Sequence, residues 1–312
     1  MEQVIEMDNL PFAIICTPFC FCATVLNIFF IFCLCKPAVG VRVHQPMHLL
    51  LSAVLGNSTV QQLISMISVV LSFLSPPDWL LVVNIAIILQ SYCSSFSINA
   101  WISIFYYMKI VPQHWKVLIW VQKNIKAIVF AGFLFDQTLL MSALSMGTAS
   151  YLTPTPKDDL NKTMLTSGTV VNGHLYLLST RMFLVYLICP FITLLISWGR
   201  TYCYLWRHIT RMEQTTGSSS YPQQKNHMRV TVTGIVQTAL FIPSSLYAMI
   251  MAVLLSSLYE TLDNNKHITM TIICISNFAN VSCLGFSQSV FRLRVITLLR
   301  RVKKAFGLVD QR

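Results

Sequence analysis

Seven stretches of this 312-residue chain run for about twenty residues or more with almost no charge, and that fixes the environment in which it folds. They lie near 10–35, 47–74, 80–111, 126–149, 180–206, 230–258 and 268–291. A helix of roughly 20 apolar residues crosses a hydrocarbon core of about 30 Å, so each stretch is long enough to span a membrane. The apolar runs are continuous rather than alternating, which favours helices over a β-barrel. Composition agrees: 55% of residues are hydrophobic and 11% charged, too little charge for a soluble surface and too much hydrophobicity for disorder. The expected fold is all-α, a seven-transmembrane helical bundle forming one domain over 1–312. The second stretch carries Ser52, Asn57, Ser58, Thr59, Gln61 and Gln62, which suits a helix buried among others rather than one facing lipid.

Orientation follows from the positions of Lys and Arg. Lys36 and Arg42 follow span one, and Lys109, Lys116, Lys123 and Lys126 follow span three. Arg200, Arg207, Arg211, Lys225 and Arg229 lie between spans five and six. The tail adds Arg292, Arg294, Arg300, Arg301, Lys303, Lys304 and Arg312. That side therefore holds 18 of the 22 cations, and the other holds Lys157, Lys162, Arg181 and Lys266. The first nine residues carry no cation but Glu2, Glu6 and Asp8. The positive-inside rule then puts the N-terminus outside and the C-terminus in the cytosol, which requires an odd number of spans. The net charge of +11 is a topology signal and not evidence for nucleic-acid binding. The acidic N-terminus argues against a cleaved signal peptide, so span one is expected to act as its own insertion signal.

All ten cysteines fall inside or at the ends of spans, so an extracellular disulfide framework is not expected. Of the Asn-x-Ser/Thr sequons, those of Asn57 and Asn280 lie within spans. Asn161 lies in a long 150–179 loop on the outer side and is the expected glycosylation site. Thr215 to Gln224 reads as a polar cytosolic connector. In the tail, Val295, Leu298, Leu299, Val302, Phe306 and Val309 share one helical face, and Arg294, Arg300, Arg301, Lys303 and Lys304 the other. That pattern suits a membrane-surface helix over 292–309, apolar side on the bilayer and basic side toward acidic headgroups.

No His-Glu-x-x-His and no phosphate loop occur, and the seven histidines lie mostly at loop edges. No enzyme, cofactor or metal site is expected. The one acidic residue inside a span is Asp136. A transporter or channel, the competing class, usually shows several buried charges or broken helices in matching halves. Asp136 should face the bundle. It is open to three readings: a hydrogen-bonded, neutral aspartate tied to a neighbouring Ser, Thr or Tyr, a ligand contact, or a switch that breaks between states.

Seven spans with a basic cytosolic face resemble a G-protein-coupled receptor, and local motifs narrow the likeness. Span three ends Ser103-Ile104-Phe105-Tyr106-Tyr107-Met108-Lys109-Ile110, which resembles the Phe-Tyr-x-x-Lys-Ile signature of type 2 taste (bitter) receptors. Span five carries Pro190-Phe191 and runs through Trp206 to His208 and Met212, similar to the family's Pro-Phe run followed by His and Met. His227 resembles the His that opens the family's sixth helix, and Asn27 its lone Asn of span one. Span two has Gly56-Asn57 near the place of the family's Ser-Arg pair, and span seven lacks the usual His-Ser opening and late Asn. These departures point to a divergent member. A non-mammalian branch is one reading and a vomeronasal type 1 receptor, a neighbouring family, another.

The resemblance implies a small-molecule chemosensory receptor of the plasma membrane, coupled to a heterotrimeric, gustducin-like G protein. Its ligand cavity would open outward between the helices, apolar with a few polar groups. Ile85, Ile88, Leu89 and Tyr92 share one helical face where the family's third-span ligand residues fall. Phe183 and Tyr186 on span five, with Ser244 and Tyr247 beside Pro243 on span six, complete the candidate set. An agonist would favour an arrangement with span six moved outward at its cytosolic end. The groove so opened would be edged by Tyr106, Lys109, Arg207, His208, Arg211, His227 and Arg229. Positive-inside topology alone also accounts for the cations there.

Overall fold

The computed structural model describes residues 7–36, 45–74, 76–112, 115–152, 162–216, 222–257, 266–288, 291–297 and 300. Among them, eight helices of eight residues or more follow in order: α1 Asn9–Cys35, α2 Gln45–Leu71, α3 Asp78–Ile110, α4 Lys116–Lys123, α5 Ile125–Leu152, α6 Lys162–Thr216, α7 Pro222–Ser257 and α8 His267–Ser287. No strand occurs among the described residues. All but α4 are long and apolar enough to cross a membrane, which gives a seven-span bundle. The sequence-predicted spans four to seven are α5 to α8.

Local chemistry sets several boundaries. Pro77 caps α3 in extended conformation, and Asp78 and Lys109 sit in its first and last turns, where their charges oppose the helix dipole. The helix ends at Val111 because Pro112 disfavours helical backbone in the residue before it. Lys266, just before α8, adopts φ 57, a left-handed turn uncommon for a residue with a side chain.

Helix α3 runs through the middle. Every residue from 91 to 100 is buried, as for a helix enclosed all round. It packs on α2, α5 and α6, while α1 packs on α2 and α8, and α7 bridges α6 and α8. The outer helices turn large apolar side chains outward. Leu10, Ile14, Phe21 and Ile28 line one exposed face of α1, and Phe130, Leu134, Phe135 and Met141 are exposed on α5. A surface this apolar is solvated by lipid rather than water.

Two segments differ from the sequence expectation. Part of the expected 150–179 loop is helix, since α6 starts at Lys162 and extends for 55 residues. At about 1.5 Å per residue that is near 80 Å, far beyond the hydrocarbon core. Falling hydropathy there marks the edge of the membrane, not the end of the helix; the apolar span itself is Leu177–Arg211. The expected 215–224 connector is likewise helical at both ends, to Thr216 and from Pro222. After α8 the chain turns extended at Gln288 and is helical again over 291–297, with Phe291 buried. The rest of the expected 292–309 helix lies almost wholly outside the described residues, as does Asn161.

Candidate functional site

The bundle has two chemically distinct ends. One carries the starts of α1, α3 and α8, and will be called the N-terminal end. The other carries Lys36, Lys109, Lys116, Arg207, Arg211 and Arg229, and will be called the basic end. At the N-terminal end, His267 Nδ1 lies 2.8 Å from the Met7 carbonyl, and its ring stacks on Phe12 at 4.4 Å. These contacts tie the start of α1 to α8. Deeper along the same seam, Cys16 Sγ is 3.5 Å from Thr271 Oγ1, and Cys20 Sγ is 3.7 Å from Cys274 Sγ. All ten cysteines are free thiols, and four of them, Cys22, Cys35, Cys189 and Cys203, are exposed on the outer surface.

The N-terminal half of α3 brings the expected ligand-facing residues together. Ile88, Tyr92 and Tyr186 are buried in one apolar cluster, and Ile85, Leu89 and Phe183 pack against it. Helical spacing turns one face of α3 toward α6, and the aromatics fill the gap between them. Tyr92 meets Phe96 edge-on at 5.1 Å, and Phe96 meets Phe241 of α7 at 4.5 Å. The Tyr92 hydroxyl faces Ser244 and Ser245 but has no partner at bonding distance. Those two serines instead donate to the Phe241 carbonyl, at 3.0 and 2.8 Å. Tyr247 is half-buried, and its hydroxyl is 3.3 Å from Thr269 Oγ1 of α8.

Asp136 on α5 faces α3. Ser97 Oγ donates to its carboxylate, and Tyr186 Oη donates to its backbone carbonyl at 3.1 Å. The neighbouring Gln137 accepts from Ser94 Oγ at 2.7 Å. This seam ties α3, α5 and α6 at one level.

Below it lies a polar layer. Asn27 of α1 donates to Ser58 Oγ of α2 at 2.9 Å, and Ser58 donates to Asn277 Oδ1 of α8 at 3.0 Å. Asn57 donates to the Ser91 carbonyl at 2.7 Å and to Ser95 Oγ at 2.9 Å. Asn99, Gln237 and Asn280 then join α3, α7 and α8. A cavity with room for about one water lies beside them, lined in part by Asn99, Gln237, Thr238 and Trp198. Sequence reasoning assigned Asn99, Gln237 and Trp198 no role. The signal for Asn99 and Gln237 is the expense of an amide inside an apolar span, as in span two.

At the basic end, Lys109, Arg207, Arg211 and Arg229 are exposed, and His208 is half-buried. The side chain of His227 lies outside the described residues. Lys109 Nζ sits 5.9 Å from the Phe105 ring centroid, a cation–π distance. Tyr106 reaches inward instead. It bridges the two apolar cores, its ring is 5.9 Å from Trp198, and its hydroxyl donates to Gln288 Oε1 at 3.5 Å. Trp198 in turn lies flat against Gly234 of α7, where any larger side chain would collide with the indole.

Among curated proteins none matches the chain. A family model described as Taste receptor protein (TAS2R) matches residues 5–297. The match begins before α1 and runs through all seven spans, and it decides between the two receptor families that the motifs left open. The chain is a multi-pass membrane protein that belongs to the TAS2R taste receptor family of G-protein-coupled receptors.

Proposed function

We propose that this chain is a bitter-sensing receptor of the plasma membrane, with its N-terminal end outside and its basic end in the cytosol. It binds small, largely apolar molecules from the outer side and activates a heterotrimeric, gustducin-like G protein. The observation that carries the reading is the unbroken aromatic contact from α3 to α7 through Tyr92, Phe96 and Phe241. A ligand wedged among Ile88, Tyr92, Phe183 and Tyr186 presses through this contact on α7 next to Pro243. Proline has no N–H to give its helix, so α7 bends most easily there. Moving the basic end of α7 away from α6 opens a groove for the C-terminal helix of a G protein α subunit. Lys109, Arg207, His208, Arg211, His227 and Arg229 edge that groove, with Tyr106 beneath it.

The test is calcium release in cells expressing the receptor with a G protein α subunit, challenged with a panel of bitter compounds. At least one agonist is expected, and Tyr92→Ala should raise its half-maximal concentration about tenfold or more, the scale of one lost aromatic contact. A dose–response curve that Tyr92→Ala leaves in place would remove this cluster as the ligand site. Sidedness has its own test. Asn161→Gln should abolish the mobility shift that a glycosidase produces, and a persisting shift would mean that the 153–161 segment is not the glycosylated one.

A further inference from the structure

Helix α7 has a weak point and, a few residues away, a polar contact that its packing does not explain. Pro243 leaves the carbonyl one turn back without its helical donor. Ser244 and Ser245 turn their hydroxyls onto the Phe241 carbonyl at 3.0 and 2.8 Å, and Thr238 onto Gly234 at 2.8 Å. Hydroxyls that bond back to helical carbonyls bend and loosen a helix. The segment of α7 on the basic side of Pro243 is therefore joined to the remainder by a flexible turn over 241–245.

What holds that segment in place is only partly close packing. The cavity beside Asn99, Leu194, Trp198, Gln237, Thr238 and Phe241 shows an interface between α3, α6 and α7 that is not filled. One amide crosses it. Gln237 Nε2 donates to Asn99 Oδ1 at 3.0 Å and to Asn280 Oδ1. Asn99 and Asn280 are themselves buried and joined, at 3.3 Å, and Asn99 also donates to the Ser95 carbonyl at 2.8 Å. Gln237 thus joins this segment to two other helices at once.

We propose that Gln237 is a clasp: its amide holds α7 against α3 and α8 in the resting receptor, and activation releases both bonds together. The geometry gives the release an all-or-none character. One side-chain nitrogen makes both bonds, so a small displacement of α7 weakens the two at the same time. Of the carbonyl oxygens left behind, that of Asn280 keeps its bond from Asn99 and both are buried beside a cavity with room for about one water, so a half-open position has at most one water in place of two amide bonds. Only a wider opening, with water entering from the basic end, restores partners. The proposal rests on the reading that α7 moves during signalling, and its test separates the two.

Full-length receptor with Gln237→Leu should show ligand-free G-protein signalling raised several-fold at equal surface expression. The variant loses both amide bonds, and even one shifts a two-state ratio by up to about tenfold. In nanodiscs, spin labels at Lys109→Cys and Arg229→Cys, with Cys22, Cys35, Cys189 and Cys203 replaced by Ser, should report a longer α3–α7 distance in the variant. Gln237→Asn keeps the amide but shortens its reach by one methylene, and should give the same changes in smaller degree. Unchanged distances and unchanged basal signalling in folded Gln237→Leu would overturn the clasp. Longer distances without signalling would leave the clasp standing and remove the G-protein reading. Loss of folded receptor in both variants would mean that the amides are needed in every state, and would overturn the switch.

Discussion

The contact of α7 with α3 near the N-terminal end and its contact with α3 near the basic end are held together by different forces. In the first, α3, α6 and α7 meet through Ile88, Tyr92, Phe96, Tyr186 and Phe241. In the second, α3, α7 and α8 meet through Asn99, Gln237 and Asn280, beside a tryptophan laid on a glycine. Apolar contacts are non-directional, and a core of aromatics tolerates being repacked around guests of different shape. Amide bonds are directional and are either made or broken. In the function proposed above, the first contact suits a sensor and the second a switch. Phe241 belongs to both, since it packs on Phe96 and accepts the serine hydroxyls at the flexible turn.

The comparison is most sharply tested where the basic half is tightest. A Cβ on Gly234 would run into the Trp198 ring, and buried Trp198 has only a cavity of about one water's size beside it to withdraw into. Gly234→Leu is expected to destabilise the closed α6–α7 contact by roughly 1–3 kcal/mol, the usual scale of overpacking. Its melting temperature in detergent should fall by several degrees, and surface expression should drop. Gly56, which has open space around it, is the control: Gly56→Ala should leave both in place. Equal behaviour of the two variants would show that close approach at Gly234 does not hold α7.

A smaller effect is expected at the basic rim, where folding and signalling should separate. Lys109 is exposed and its cation–π contact with Phe105 is worth about 0.5–1 kcal/mol at such a site, so removing its charge costs folding little. Lys109→Ala should therefore keep surface expression and the agonist concentration dependence, and lower the maximal calcium response by several-fold. Unchanged signalling would take Lys109 out of the coupling surface and make it a residue of topology only.

The sequence made the spans legible because hydropathy is a local property: twenty neighbouring residues suffice to declare a membrane helix. The face carrying Ile85, Ile88, Leu89 and Tyr92 was legible for the same reason, since it needs only helical spacing. The clasp was not. Asn99 and Asn280 stand 181 positions apart, and Asn99 and Gln237 are separated by 138. Nothing local says that these amides converge rather than face separate partners. Tyr106 shows a related limit. Its motif marks it for the groove, but that its ring turns inward to Trp198 shows only in the fold, where the end of α3 is still enclosed by α6. The start of α6 was misread for a third reason: hydropathy tracks lipid, and a helix can continue past it.

The smallest effect tests whether the sensing half is truly held by apolar contact. The Tyr92 hydroxyl is buried and has no partner at bonding distance, while its ring is enclosed by Phe96 and the α6 aromatics. A buried hydroxyl without a partner contributes nothing favourable, so Tyr92→Phe should be neutral or stabilise the protein by up to about 1 kcal/mol. Melting temperature should stay level or rise slightly, in contrast to the loss expected for Gly234→Leu. An agonist recognised by shape and apolar surface alone should keep its potency within about twofold, whereas one that bonds the hydroxyl should lose tenfold or more. A clear fall in stability without any ligand would mean that Ser244 or Ser245 turns from the Phe241 carbonyl to Tyr92. The α3–α7 contact of that half would then carry a polar tie of its own, and its contrast with the amide contact would narrow to one of degree.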